Sequence, residues 1–600
     1  GVYETYRAEN ATDGAVSNAS RWIGKADVAG KIWLELKLET EVSVSAIQLF
    51  SGYDNADSVS GFYVEAKIQG GEWEKISSSV VEGNKKTDVM VVFETPVTTD
   101  GLRLVVTQTK DDLARVKEVV VLTKDRGVIE ELLRLNLAAG QMNIDPSGFR
   151  FELVNSHNEI ICPMHQAFGL RIGGQPVRFT VADPLLQGVF SVTTATGLKA
   201  KVSVHASGGM VSVTVVPEQD GMHKVELSMG GIPVAYGLGD AGGWSGNVNL
   251  VTEKNVRYSL KNNGSAQRWQ SSFVICPENK LAGVVFEGNK RSVVLGPEEY
   301  TMSASTNNSV TFHYLLGDMP NIYGQYKDLL ADNGFPWIKP KFGLFELGWE
   351  SWAALGYQTR DETVLESITA FQDHGYPIRW AVTGSGFWEE GGTTTSFGKY
   401  DDVKFSNPSE FKKQLNDRHV KWMIGLRTNF ILPGGPHVPV NAKRDFNLKV
   451  KTFNGNPLST VGMEKGYFLK DLSGELIEKT SRYFPIVPCY MLDGRNSDAV
   501  DWYAGLYQKW NVDGAKEDTM INVGADVLDV FNAPISRLSD DGGLIMARCG
   551  SFSSSGTLLR INDTHVKDIV LRTPINYLHY AASGAPNVYS DTVGFRKMKK

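Results

Sequence analysis

The sequence predicts a protein of several domains, in which two β-sandwiches precede a (β/α)8 barrel. Three observations lead to this prediction. The chain has 600 residues, and at one to two hundred residues per domain that length gives roughly three to five units. Residues 1–124 and 140–338 consist largely of short alternating runs between turn residues, as antiparallel sheets do. From residue 339 onward, strand and helix patterns alternate, which is typical of a parallel barrel.

The composition excludes several classes of protein. Hydrophobic residues make up 42% and charged residues 22%, close to the averages of folded proteins, so disorder and fibrous repeats are excluded as the main description. The net charge of −7 and the lack of an early basic block argue against a nucleic-acid or membrane-surface partner. No apolar run is long enough for a membrane span. The cysteines fit no metal-ligand spacing and are expected to be buried free thiols: Cys162, Cys276, Cys489 and Cys549.

The two N-terminal regions are predicted to be all-β. In the first, Trp33-Leu-Glu-Leu-Lys-Leu38 alternates between apolar and polar side chains from Leu34 onward, as a half-buried strand does. The linker 125–139 is predicted to be an amphipathic helix, because leucine and isoleucine recur there at helical spacing. In the second region, Tyr236-Gly-Leu-Gly-Asp240 is followed by no helix pattern. It is therefore expected to be a sandwich turn and not a phosphate loop, and no organic cofactor is expected.

Seven strands are predicted in the third region, with amphipathic helices between them. A stretch at about 434–490 is too long for an ordinary βα loop and is expected to be an inserted subdomain. An eighth strand is missing, so we expect the barrel to be truncated after strand seven, with the remainder beyond Lys600. The predicted strands are 343–348, 378–383, 422–428, 514–518, 544–549, 558–561 and 588–592.

Two aspartates stand where barrel enzymes place their catalytic groups. Asp518 ends predicted strand four, and Asp563 follows predicted strand six. The carboxyl ends of barrel strands meet at one mouth, so the two carboxylates can face each other and cleave a glycosidic bond. A retaining enzyme needs them roughly 5–5.5 Å apart. The alternative is that either aspartate caps the helix that follows it.

Ordered segments of the second and third regions, rather than one motif, carry a resemblance to a known family. They are Phe345-Glu-Leu-Gly-Trp-Glu-Ser-Trp352, Gly356–Glu362, Gly375–Ile378, Met491–Asp493 with Trp502, Val512–Asp518, Arg548 to Asp563, Ser590-Asp-Thr-Val-Gly-Phe595, and Tyr236–Asp240 in the preceding sandwich. With these segments, residues from about 140 to 600 resemble glycoside hydrolase family 31. By this resemblance Asp518 is the nucleophile and Asp563 the general acid/base of a retaining α-glycosidase.

Several further residues are expected to contact the substrate. Lys516 shares a strand face with Asp518 and can hold a sugar hydroxyl, or it can form a salt bridge within the barrel; Arg548 has the same two roles open to it. Tryptophans, Trp352 among them, can form the apolar walls of the pocket or belong to the core. The expected substrate-binding residues are Trp349, Glu350, Trp388, Lys516, Arg548, Arg560 and Asp591.

Departures from the family pattern bear on the sugar. Many glucose-active members carry acidic residues after strand two, where this chain has Gly384 and Gly386. The Arg560-Ile-Asn-Asp563 segment is instead similar to the acid/base region of distantly related α-galactosidase families. We therefore expect an exo-acting enzyme for α-galactosides or α-N-acetylgalactosaminides. The alternatives are an α-glucosidase, an α-xylosidase, a transglycosylase of the same family, or a non-catalytic carbohydrate-binding protein.

The first region carries its own set of ordered segments: Glu9-Asn-Ala-Thr-Asp-Gly14, Ser20-Arg-Trp22, Trp33, Trp73 and Ala114–Val119. With these segments, residues 1–124 resemble the discoidin-like (coagulation factor 5/8 C-terminal type) fold, and family 32 carbohydrate-binding modules in particular. Such modules often hold a structural calcium, which makes Asp13 and Glu118 candidate ligands; the alternatives are a turn aspartate and a surface glutamate. A module that holds the enzyme near a glycan predicts a secreted, cell-surface or periplasmic location.

Overall fold

The computed structural model contains two antiparallel regions followed by a parallel one. It describes residues 5–589 except for 14–17, 19, 54–56, 68–70, 124–132, 138–139, 146, 183–188, 242–248, 252, 261–268, 389–399, 427–428, 435–456, 472, 481–487, 518–536, 539, 548–551, 553–555, 561–572 and 586. Within these residues, no helix is both long and apolar enough to cross a membrane.

The N-terminal region is one sheet in the order β1-β6-β2-β5-β3-β4. Strands β2 and β5 are long, and their pairing shifts register between Lys37 and Val42. Alternation in β2 sends Leu34 and Leu36 into the core and leaves Trp33 on the outer face. The strands are β1 Trp22–Lys25, β2 Ile32–Ser51, β3 Gly61–Lys67, β4 Trp73–Lys75, β5 Asp88–Gln108 and β6 Leu113–Thr123.

Strands β7 to β23 form the second antiparallel region. Strands β7 to β10 make a sheet in the order β10-β9-β8-β7. The bounds are β7 Leu133–Leu137, β8 Gly140–Asp145, β9 Arg150–Asn155, β10 Ile160–Cys162, β11 Leu170–Ile172, β12 Gln175–Ala182, β13 Val189–Thr194, β14 Lys199–Ser207, β15 Met210–Pro217, β16 His223–Gly230, β17 Tyr236–Gly239, β18 Val256–Ser259, β19 Gln270–Cys276, β20 Leu281–Val285, β21 Asn289–Leu295, β22 Glu299–Thr306 and β23 Val310–Leu316.

The helix predicted for the linker is wrong over residues 133–137. These residues form strand β7, which pairs antiparallel with β8, Leu133 opposite Ile144 and Leu137 opposite Gly140. The segment reads Leu-Arg-Leu-Asn-Leu, which alternates with the period of a strand, so two periodicities overlap in it. Pairing with the adjacent β8 decides in favour of the strand. Residues 124–132 lie outside the described residues.

Helices and strands alternate in the C-terminal region, as the sequence predicted. Parallel strands form a sheet in the order β24-β25-β26-β30-β31-β32-β33, and β27, β29 and β28 form a small separate sheet. The elements are α1 Met319–Asp332, β24 Gly348–Glu350, α2 Ser351–Leu355, α3 Asp361–Asp373, β25 Trp380–Val382, α4 Pro408–Asp417, β26 Lys421–Leu426, β27 Asn429–Ile431, α5 Pro457–Lys465, β28 Lys479–Thr480, β29 Pro488–Met491, α6 Ser497–Trp510, β30 Gly514–Glu517, β31 Leu544–Ala547, β32 Leu558–Arg560, α7 Thr573–Ala582 and β33 Val588–Tyr589.

The parallel sheet is rolled rather than flat. Strands β25 and β33 stand five positions apart in it, which in a flat sheet would separate them by about 24 Å. The rings of Trp380 and Tyr589, which these strands carry, lie only 6.3 Å apart between centroids. The described strands therefore enclose a common interior, as in a barrel. The first strand begins at Gly348, later than predicted, because Phe342–Phe345 forms a short 3-10 helix.

The chain divides into two compact units. The first holds residues 1–208, 212–231 and 298–310, and the second holds 209–211, 232–297 and 311–600. Within the second unit, helix α7 packs on strand β17, where His579 Nδ1 lies 2.9 Å from the carbonyl oxygen of Gly237. Ser583 Oγ also accepts the backbone N–H of Gly239 at 2.9 Å. The sandwich turn expected for Tyr236–Asp240 is therefore wrong over Tyr236–Gly239, which forms a strand packed against a barrel helix.

Candidate active site

An apolar layer fills the lower interior of the barrel. It is built from the inward positions of four strands and the side chain of Leu344, and all of its members are buried: Leu344, Trp380, Val382, Met423, Leu544, Met546 and Leu558. Because side chains alternate along a strand, the next inward positions toward the carboxyl ends belong to Gly425, Lys516 and Arg560. The interior therefore changes from apolar to polar toward the end where barrel enzymes hold their sites.

Lys516 and Glu350 form an ion pair in this polar layer. Lys516 Nζ donates to Glu350 Oε1, and the two side chains are only 7% and 13% exposed. Lys516 lies on β30 and Glu350 ends β24, so the pair joins strands that are not neighbours in the sheet. A buried ammonium is costly without a partner. The structure thus shows the salt bridge that the sequence left open as an alternative for Lys516. Its partner, Glu350, is itself one of the expected substrate-binding residues.

The opposite face of β30 carries a second buried carboxylate. Glu517 is fully buried, and its Oε1 accepts a hydrogen bond from the Tyr503 hydroxyl of α6 at 2.7 Å. Burial, and then the charge of Glu517, raise the pKa of Tyr503 well above its usual value, so the phenol stays a donor. Sequence reasoning missed this pair. Alternation could have found it, because Glu517 directly follows the inward position of Lys516 on the strand and must therefore face the helices.

The two tryptophans expected at the pocket lie in core contacts. The Trp349 ring is 5.9 Å from that of Phe371 in α3, on the helix side of its strand. Trp388 is 1% exposed, and its indole N–H donates to the Gly425 carbonyl at 2.9 Å. The structure thus shows for both the core contacts that the sequence left as the alternative. Their contact with substrate stays a prediction, and the Trp352 side chain lies outside the described residues.

Arg560 is a buried, inward-facing residue at the end of β32, 1% exposed. The remaining expected residues follow the ends of described strands in the chain. Asp518 comes directly after β30, Arg548 after β31, Asp563 three residues after Arg560, and Asp591 two residues after β33. All four lie outside the described residues. Their roles therefore stay predictions.

Two glycines after β25 stand where a side chain would be strained. A Cβ atom on Gly386 would meet Thr359 at 2.4 Å. Gly384 has a φ of +57°, a conformation that favours glycine, and its Cα would lie 2.8 Å from a Cβ atom placed on Gly425 of β26. The two glycines that depart from the glucose-active pattern are thus favoured by the contact with Thr359 and by the backbone conformation.

The candidate calcium ligands lie apart from the barrel, in the first unit. Asp13 is exposed and accepts a hydrogen bond from Ser20 Oγ, whereas Glu118 on β6 is buried, so the surface alternative for Glu118 is wrong. No group of three His, Cys, Asp or Glu side chains in the described part of the chain is placed to hold a metal. Calcium there would need backbone oxygens as well, and its presence stays a prediction.

Comparison with known proteins places family domains on two parts of the chain. Residues 2–119 match the F5/8 type C domain, and residues 340–536 match the TIM-barrel domain of glycosyl hydrolases family 31. No curated protein matches the sequence.

Solved structures with a similar fold are distant in sequence. They include a family 31 sulfoquinovosidase from E. rectale, with 14% identity, a TM-score of 0.49, and coverage of 79% of this chain and 71% of that chain. A dextranase from Flavobacterium johnsoniae has 14% identity, a TM-score of 0.47, and coverage of 79% and 59%. An α-xylosidase from a soil metagenome has 12% identity, a TM-score of 0.45, and coverage of 77% and 71%. At these scores none of them bears on the activity of this chain.

Proposed function

Residues 340–536 belong to the TIM-barrel domain of glycosyl hydrolases family 31 and residues 2–119 to the F5/8 type C domain, and from this premise we propose an exo-acting retaining α-glycosidase. Its substrate is a glycan with a terminal α-linked galactose or N-acetylgalactosamine. The F5/8 type C domain holds the enzyme near that glycan. Such a role suits a secreted, cell-surface or periplasmic protein.

The observation that carries the proposal is the buried Lys516–Glu350 ion pair. It lies at the carboxyl-terminal side of the barrel interior, where this fold holds its chemistry. Lys516 is separated from Asp518 by one residue, so a β30 strand that continued would point both inward. A cation near a carboxyl group favours its ionised form, and a nucleophilic aspartate has to be ionised.

The proposed chemistry uses two carboxyl groups in opposite states. Asp518, ionised, attacks the anomeric carbon, and Asp563, protonated, gives its proton to the leaving oxygen. Asp563 then takes a proton from the water molecule that hydrolyses the glycosyl-enzyme. The pKa of Asp563 must therefore be raised and that of Asp518 kept low, as in other pairs of catalytic carboxyl groups.

The preference for galactose-type sugars is supported by two features around the barrel mouth. The left-handed backbone of Gly384 and the contact of Gly386 with Thr359 disfavour the acidic side chains that many glucose-active members use after strand two. Arg560 lies inward and buried at the end of β32, where it would face a sugar hydroxyl or the carboxyl group of Asp563. Calcium bound by Asp13 and Glu118 is proposed only as a structural ion of the N-terminal domain.

A panel of 4-nitrophenyl α-glycosides of galactose, N-acetylgalactosamine, glucose and xylose tests the proposal. We expect release from the first two and little from glucose or xylose. Clear glucose or xylose release, with galactose and N-acetylgalactosamine inert, would move the assignment to the α-glucosidase or α-xylosidase alternative. Inertness toward every glycoside would favour a carbohydrate-binding protein. Excess sugar acceptor in the same assay would reveal a transglycosylase through longer products.

A further inference from the structure

A cavity of about 510 Å³ opens on the N-terminal domain, well within the size range of small-molecule sites. It lies between β1, the turn that follows it, and the outer face of β2. The side chains that line it include two tryptophans, two carboxylates and two ammonium groups: Trp22, Lys25, Asp27, Lys31, Trp33 and Glu35. Aromatic surface beside groups that can form hydrogen bonds is the combination that a sugar ring requires.

Trp33 is exposed yet fixed in position. Its side chain is 38% exposed, while its indole N–H donates to Asp27 Oδ2 at 3.0 Å. The guanidinium of Arg103 lies 4.5 Å from the ring centroid and is itself held by Glu35 at 3.1 Å. An exposed ring that is already ordered loses little conformational entropy when a ligand packs on it. Nothing in the hydrophobic core requires this ring to be where it is.

The two carboxylates of the cavity already have partners. Asp27 Oδ1 accepts the backbone N–H groups of Ala29 and Lys31, both at 2.9 Å. These bonds, with that from Trp33, lower the pKa of Asp27. Glu35 is paired with Arg103. Lys25 and Lys31 are exposed and form no ion pair among the described residues, although the charge of Lys31 also helps to lower the pKa of Asp27. Their two ammonium groups are therefore the charges of the cavity that an anionic ligand can pair with.

We infer that this cavity binds an anionic sugar, with the ring on Trp33 and a carboxylate or sulfate group between Lys25 and Lys31. Carboxylates and sulfates accept charge-assisted hydrogen bonds from ammonium groups, while the hydroxyl groups of a neutral sugar would accept hydrogen bonds from them without balancing their charge. The inference rests on the proposed glycan-binding role of the F5/8 type C domain and adds a site and a ligand class to it. It does not depend on the chemistry of the barrel.

Calorimetric titration of the whole chain with glucuronate, N-acetylneuraminate, galactose 6-sulfate and uncharged galactose tests the inference. We expect the anionic sugars to bind more tightly than galactose, and added salt to weaken them. Comparison of the two carboxylate sugars, glucuronate and N-acetylneuraminate, with galactose 6-sulfate shows which anionic group the site prefers. Lys25→Gln with Lys31→Gln should lower the anionic affinities by about tenfold or more, since two charge-assisted bonds are lost. Trp33→Ala should abolish binding, and Trp33→Phe should retain part of it.

Lys37→Gln is the matched control, because Lys37 is exposed on the same strand and lies outside the cavity. It should change each affinity by less than about twofold. If the anionic sugars bind equally well to the wild type and to the Lys25/Lys31 and Trp33→Ala variants, this site is wrong, while the domain keeps its proposed role. If the wild type binds no sugar in the panel but hydrolyses free α-glycosides, this inference fails and the barrel proposal stands.

Discussion

Lys516 and Glu350 form an ion pair across the barrel interior, although two strands, β25 and β26, separate β30 from β24 in the sheet. The pair can form only because the sheet is rolled. It brings an ammonium group and a carboxylate to the end of the barrel where β30 leads into Asp518. This one contact thus depends on the rolled sheet and places a pair of opposite charges on the strand that precedes the candidate nucleophile.

Removing one partner of this pair should be costly. In Glu350→Gln the Lys516 ammonium stays buried without its counter-charge, and we expect the free energy of unfolding of the barrel to fall by about 3–5 kcal/mol. Denaturant titration measures this. Asp57→Asn breaks the more exposed pair with Lys110 and should cost no more than about 1 kcal/mol. Equal losses in the two variants would show that the Lys516–Glu350 pair is not the buried contact described here.

The contact between Gly425 of β26 and Gly384, which follows β25, predicts that one added methyl group at Gly425 lowers stability strongly. In Gly425→Ala the new Cβ would lie 2.8 Å from the Cα of Gly384, and backbone cannot move aside as a flexible side chain can. We expect a loss of about 1–3 kcal/mol in unfolding free energy. Gly505→Ala in α6 meets no atom within 4 Å and should stabilise the protein by about 0.5–1 kcal/mol. A neutral Gly425→Ala would contradict the packing described after β25.

The Tyr503–Glu517 hydrogen bond predicts a pH dependence of stability in alkali. Because the folded pKa of Tyr503 is raised above 10.0, its contribution is complete below pH 10. It is lost as the pH rises further, since the unfolded chain releases the proton first. The free energy of unfolding of Tyr503→Phe should therefore fall less steeply than that of the wild type as the pH rises above 10. At neutral pH it should lose about 1–3 kcal/mol, because Glu517 loses a donor.

Thermal unfolding scans across this pH range, with the exposed Tyr376→Phe as control, measure both effects. The control should match the wild type at neutral pH and keep its alkaline slope. If Tyr503→Phe keeps that slope as well, the buried hydrogen bond is not what holds the phenol protonated.

Much of the architecture could be predicted from the sequence, because the period of the hydrophobic residues and the turn residues between them are local features that depend little on the rest of the chain. The barrel strands from 380 onward begin within two residues of the predicted starts. The linker helix failed because Leu133 and Leu137, four residues apart, fit both helical and strand spacing, and pairing with β8 selects the strand.

The sequence could predict which residues belong to the candidate site but not which of them contact each other. Glu350 and Lys516 were both expected at the site, yet 166 positions separate them, and no local pattern pairs residues at that distance. The burial of the tryptophans could not be predicted from the sequence either. Trp388 follows a strand end as a pocket residue would, but the ring contacts Gly425 and the neighbouring aromatic cluster. Which alternative holds for such a residue depends on packing from elsewhere in the chain.

The initial rate of hydrolysis of 4-nitrophenyl α-N-acetylgalactosaminide and α-galactoside by wild type and Asp518→Ala tests the central claim most directly. The control is Asp417→Ala, which removes an exposed carboxylate at the end of α4. We predict that the wild type and the control release nitrophenol at equal rates. Asp518→Ala should be slower by about a thousandfold or more, as expected when a nucleophile is removed. An Asp518→Ala variant as active as the wild type would contradict the assignment.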